Sequence, residues 1–139
     1  MNGQDFLRLI NEAFTPFLSK LGFTMDPSSI SGRYYRAKFV GPRHMVSVSF
    51  EPGDNQTLVI VFSLQNGTAS DIDNRLATPR LSDLNRRYAN AVSTTERTAT
   101  ESMFSTIVTQ DDDERLLVKC AKELCLVLPR YMADPNSIS

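Results

Sequence analysis

Tryptophan is absent from this 139-residue chain, histidine occurs once, and cysteine occurs twice. Each scarcity removes a class of chemistry. A single imidazole, His44, leaves no second one with which to build a histidine-based metal site or proton relay. Cys120 and Cys125 lie five apart in a predicted helix, so their side chains leave it in different directions and a disulfide between them is geometrically poor. With no histidine nearby they do not form a zinc pair, and they read as reduced thiols in or near the core. No apolar run approaches the roughly 18–20 residues that a membrane-spanning helix requires. The opening Met1-Asn2-Gly3-Gln4-Asp5 carries neither a basic segment nor a small-residue cleavage site, so a cytoplasmic protein without a signal peptide is expected.

Recognised catalytic punctuation is missing as well. There is no glycine-rich phosphate loop, no nucleophile elbow and no His-Glu-x-x-His. Asp71-Ile72-Asp73-Asn74 hints at calcium, but a calcium loop starting at Asp71 needs glycine and glutamate where Leu76 and Ser82 stand. The net charge of −1 gives no global field toward DNA, RNA or an anionic membrane. The sequence therefore predicts no enzyme, no cofactor, no metal, no nucleic acid and no membrane among its functions and partners.

What is present is a 41% hydrophobic, 22% charged chain of the size of one domain, able to bury a core without disulfides. Residues 1–139 are predicted to form that domain, with a frayed tail at 133–139. Phe6, Leu9, Ile10, Ala13, Phe14, Phe17, Leu18 and Leu21 recur at helical spacing. Gly22 is placed as the C-terminal cap, with Phe23 folding back. Pro16 is expected to kink or split this helix, with Thr15 capping a second piece. Residues 24–32 read as a polar loop.

Arg33–Val40, Met45–Glu51 and Thr57–Leu64 are separated by turn-rich segments and predict an antiparallel meander. Val46, Val48 and Phe50 share one face, with Ser47 and Ser49 on the other. Leu58-Val59-Ile60-Val61-Phe62 is apolar on both faces and is placed centrally. Residues 65–80 read as a long polar loop. Thr78-Pro79 then looks like a cap followed by a first-turn proline, opening a helix over 79–92. Residues 93–101 read as a linker or mobile loop and 103–109 as a further strand. Asp111–Glu114 caps a last helix striped by Leu117, Cys120, Ala121, Leu124 and Leu128, which Pro129 ends. The predicted class is α+β, an antiparallel sheet of four to five strands packed against N-terminal, middle and C-terminal helices.

Candidate function rests on surface chemistry. Arginine outnumbers lysine eleven to four, and its planar fork suits carboxylates and aromatic faces. The segment 71–88 interleaves Asp71, Asp73, Arg75, Arg80, Asp83, Arg86 and Arg87. It reads either as a solvated face held by local ion pairs or as a recognition surface. In the second reading Arg75, Arg80, Arg87 and Tyr88 are the contacts, because arginine and tyrosine anchor interfaces. Tyr34 and Arg36 on the first strand add an aromatic and a cation at a predicted sheet edge, where a partner strand can pair. His44 is expected as an exposed residue of the first turn.

The order of the Phe6–Leu21 helix, the Arg33–Leu64 meander, the Leu81–Val92 helix and the Leu116–Leu128 helix resembles the type III secretion chaperones. That resemblance implies a small cytoplasmic homodimer that binds an extended segment of another protein without hydrolysing ATP. The outline, with Leu18–Phe23 leading into strands, also resembles bacterial immunity proteins. This second resemblance implies a binder of one folded toxin, often monomeric. Both imply a protein-binding module that is chaperone-like, adaptor-like or immunity-type.

Overall fold

A computed structural model describes residues 1–26, 34–53 and 56–134. The predicted class is what it shows: helices packed on one face of an antiparallel sheet.

The chain opens with α1 (Gly3–Leu9), whose first amides are capped reciprocally by Asn2 and Asp5. Asp5 N–H donates to Asn2 Oδ1 at 2.8 Å, and Asn2 N–H donates to Asp5 Oδ2 at 3.3 Å. A π-helical turn (Ile10–Phe14) follows, then α2 (Thr15–Lys20). Pro16 explains the widening, since it has no N–H to give and its ring crowds the preceding turn. Thr15 does not cap the second piece as predicted. Its hydroxyl donates back to Ile10 O at 3.3 Å, where its own amide also bonds. Gly22 closes the arm at φ +93°. Phe23 N–H reaches Leu18 O at 2.9 Å and Gly22 N–H reaches Ser19 O at 3.1 Å, the Schellman pattern that the Gly-Phe pair predicts.

The sheet runs in strict sequence order: β1 (Thr24–Met25), β2 (Tyr35–Val40), β3 (His44–Glu51), β4 (Gln56–Gln65) and β5 (Thr68–Ala69). The meander is therefore as expected, with two additions. Thr24–Met25, read as loop, pairs with Val40 and Phe39. The start of the supposed 65–80 loop is a hairpin, in which Asn66 (φ 53°) and Gly67 (φ 79°) form a two-residue turn. Two successive positive φ values are what a twisted hairpin requires, and Asn-Gly is the pair that adopts them at least cost.

The remainder of that segment is a strap tied to β4. Ser63 N–H donates to Ser70 Oγ at 3.0 Å, Ser70 Oγ lies 2.6 Å from Thr78 Oγ1, and Thr78 Oγ1 donates to Asp71 O at 2.7 Å. Ser63 Oγ donates to Ala77 O at 2.9 Å. Val61 N–H then donates to Pro79 O at 2.9 Å, next to a bridge between Ile60 and Arg80. Thr78 is thus fully buried as a strap residue rather than a helix cap.

The middle helix, α3 (Leu81–Tyr88), is shorter than the predicted 79–92 and passes into a 3-10 turn, Ala89–Ala91. The expected linker is a helix, α4 (Thr94–Phe104), started by Ser93 and Glu96 in a capping box. Glu96–Arg130 at 2.7 Å and Glu101–Lys122 at 2.9 Å tie α4 to the last helix. The strand predicted at 103–109 does not form. Phe104 ends α4 with 5% exposure, and the residues after it pair with no strand among the described residues. The last helix, α5 (Asp112–Ala133), is capped by Asp111, which accepts from Glu114 N–H at 2.8 Å. It continues through Pro129 instead of ending there. A buried stripe outweighs the lost backbone bond, because Leu124, Val127, Leu128 and Tyr131 on both sides of the proline are all in the core. Residue 134, expected to fray, accepts a 2.6 Å hydrogen bond from Tyr88. Expectations that fall on residues 27–33, 54–55 and 135–139 lie outside the described residues.

Candidate functional site

Strand alternation sorts the sheet into two faces. Ala37 and Phe39, Val46, Val48 and Phe50, and Val59 and Val61 join the helices in one core cluster. The opposite residues align in rows across three strands: Val40, Met45 and Phe62; then Lys38, Ser47 and Ile60; then Arg36, Ser49 and Leu58. None of them belongs to the helix-backed core. Val40 and Leu58 are exposed at 39% and 45%, while Met45, Phe62 and Leu64 are half-buried. Ile60, beside the Arg80 bridge, is shielded. β4 is consequently apolar on both sides although helices back only one of them. Two predicted contacts lie at this outer face. Arg36 is exposed in the Leu58 row, and Tyr34, in step with Arg36, is 54% exposed. Tyr35 points the other way, packing at ring-centroid distances of 5.7 Å from Phe6 and 6.0 Å from Phe50.

The edge on which these residues were expected is only partly open. β1 covers the Phe39–Val40 end of β2, leaving Tyr35–Ala37 without an outer strand partner among the named strands.

The four other predicted contacts are placed elsewhere and are held by local bonds. Arg75 grips Asp83 in bidentate fashion at 2.8 and 2.9 Å, and Arg86 approaches the same carboxylate at 3.5 Å. Partial burial pushes the Asp83 carboxyl up, but the bond from Arg75 and the Arg80 amide outweigh it and hold it below the usual carboxylate range. The Arg80 guanidinium donates to Ile72 O at 2.7 Å and Thr78 O at 2.9 Å, so it fastens the strap. Arg87 stands 5.1 Å over the Tyr88 ring and 3.6 Å from Asp134. Burial and the bond to Asp134 push the Tyr88 phenol up to about 12. Of the charges that alternate over 71–88, Arg75, Asp83, Arg86 and Arg87 are engaged in ion pairs and Arg80 in bonds to backbone carbonyls.

His44 is not an exposed turn residue. It begins β3 at 4% exposure, and its ring meets Tyr131 edge-on at 5.4 Å. Nε2 is buried with no hydrogen-bond partner. Burial, followed by the neighbouring Arg43 charge, holds its pKa below the ordinary value. The two thiols are half-buried and unpaired, and burial pushes Cys120 up to about 11. Asp71 uses a side-chain oxygen to accept Asp73 N–H at 3.0 Å, forming an Asx turn. No group of three or more metal-ligating side chains occurs among the described residues, and no helix among them is long and apolar enough to cross a membrane.

No protein-family model matches this chain, and no curated protein and no solved structure matches it significantly.

Proposed function

We propose that this protein is a non-enzymatic protein-binding module, chaperone-like or adaptor-like, whose contact surface is the outer face of the sheet. One observation carries the reading. The outer side chains of β4 that stay at least partly open, Leu58, Phe62 and Leu64, are as apolar as its inner ones, yet they stand outside the helix-backed core. Apolar side chains left open on a sheet face, with a cation beside them, are the composition of a surface that another macromolecule covers. Tyr34 and Arg36 extend it with residue types that anchor interfaces. The partner this face suits presents apolar side chains flanked by acidic ones, which would meet Arg36.

The experiment is a paired capture. The tagged protein and a Leu58→Asp, Phe62→Ser variant are exposed to extract of the native host at moderate salt, and bound proteins are compared by mass spectrometry. A stoichiometric protein held by the parent and lost by the folded variant supports the reading. An extended client segment would mark a chaperone-like protein, and a single folded toxin an immunity-type one. Equal capture by both proteins, or by neither, overturns it.

A further inference from the structure

A second concave surface lies on the opposite side of the molecule, among the helices. The N-terminal arm presents Ala13, Pro16, Phe17, Lys20 and Leu21, and these follow helical spacing along one side of it. The end of α4 supplies Met103 and Phe104, and α5 supplies Cys125 and Pro129. Together they enclose a groove of about 320 Å³. Its floor is the Phe17–Phe104 ring pair, with centroids 6.4 Å apart, and both rings are almost wholly buried. Met103 stands at the mouth with 53% exposure. Pro16 and Pro129 add apolar ring carbons to the lining.

Two charged groups reach the rim, and they differ in what they are free to do. Glu12 accepts from Arg8 at 3.0 Å, and Arg8 also bonds Glu114 at 2.9 Å. Lys20 has no acidic partner among the described residues. The Cys125 thiol is raised by burial and stays protonated at neutral pH, so the wall offers no anionic nucleophile. An apolar floor with one uncommitted cation at its lip matches the pattern of small-ligand sites, mostly hydrophobic with few polar groups that fix orientation.

We infer that the groove between the N-terminal helical arm, α4 and α5 binds a small amphipathic monocarboxylate, its body on Phe17 and Phe104 and its carboxylate on Lys20. The volume of about 320 Å³ falls at the small end of the roughly 300–1,000 Å³ range of small-ligand pockets. The site is independent of the outer sheet face, and neither reading requires the other.

The test is a titration of the full chain with decanoate, decanol and decylammonium, below the concentration at which they form micelles, followed by the methyl signals of the methionines. Met103 reports the groove, and Met45 on the outer sheet face is the control. The expected result is a saturable one-site shift at Met103 with Met45 unmoved. Decanoate should bind about five- to tenfold more tightly than decanol, the worth of a charge-assisted bond. The Lys20→Met variant should lose that preference while keeping decanol affinity and its melting temperature, because Lys20 is exposed. Equal binding of decanoate and decanol overturns the assignment. So does an undiminished preference in the variant, or shifts of Met45 that match those of Met103. A Met103 shift that depends on protein concentration alone would show the groove filled by a second copy, which also overturns it.

Discussion

The two faces of β4 carry the same kind of side chain and meet different surroundings. Val59 and Val61 lie in a core continuous with Leu84, Leu124 and Leu128, whereas Leu58 is 45% exposed and Phe62 half-buried on the other side. Hydrophobicity therefore does not by itself say where the core is. The helices settle that by covering one face, and they leave Leu58 and part of Phe62 on the other face open to solvent.

Truncation should separate the faces most sharply. Phe39→Ala, on the covered side and 1% exposed, should cost about 3–5 kcal/mol in urea unfolding. A loss below about 1 kcal/mol would mean that the helices do not pack there as described.

The strap that flanks β4 comes next. Thr78→Val keeps the shape but removes the hydroxyl that donates to Asp71 O and meets Ser70 Oγ, which keeps its bonds to Ser63 N–H and Ala77 O. That should cost about 1–3 kcal/mol, with hydrogen exchange accelerated first at Val61 and Ser63. Unchanged exchange at those two amides would show that the strap does not depend on this hydroxyl.

His44 links the covered face to pH. Its imidazole is buried and its native pKa is depressed, so below the ordinary value of about 6.5 the unfolded chain binds a proton that the native chain resists. Stability is therefore full above that value and falls as pH drops through it, until the native pKa is reached. Stability should fall as pH is lowered through about 6.5, by no more than about 1.4 kcal/mol per pH unit, and His44→Phe should remove that fall. Denaturant midpoints at three pH values for both proteins would decide the matter, and parallel curves would refute it.

Smaller still is the effect of Arg80→Ala, which frees two strap carbonyls and should cost about 1 kcal/mol. Arg87→Ala, an exposed partner of Asp134, should cost about half of that or less. If the two variants melt together, the contrast between a strap-fastening and a surface arginine fails. Smallest of all, Leu58→Ser on the uncovered face should move stability by less than about 0.5 kcal/mol. A large loss on that face would show it buried within the monomer.

Some of this was legible from the residues. The Gly22-Phe23 cap, the meander and the Asp111 start of α5 depend on contacts within a few positions, so local spacing carried them. Two further local signals lie in the sequence: Asn66-Gly67 between alternating residues marks a hairpin, and Ser93-x-x-Glu96 marks a helix start within a threonine-rich stretch. Other features had no local signal. Pro129 ends a helix by propensity, yet its neighbours are held in the core across it. His44 sits at a turn in the sequence, and segments far from it in the chain bury it, Tyr131 at 87 positions away among them.

The sequence by itself determined the α+β class, the order of the meander strands and the two apolar periodicities, because each is set by backbone preference and by side chains close in the chain. Tertiary structure alone decided which face of the sheet the helices cover, which arginines are spent on carbonyls and carboxylates, and where a groove remains. Those outcomes depend on contacts between segments far apart in sequence, and the free energy of such contacts comes from shared burial that no single segment possesses.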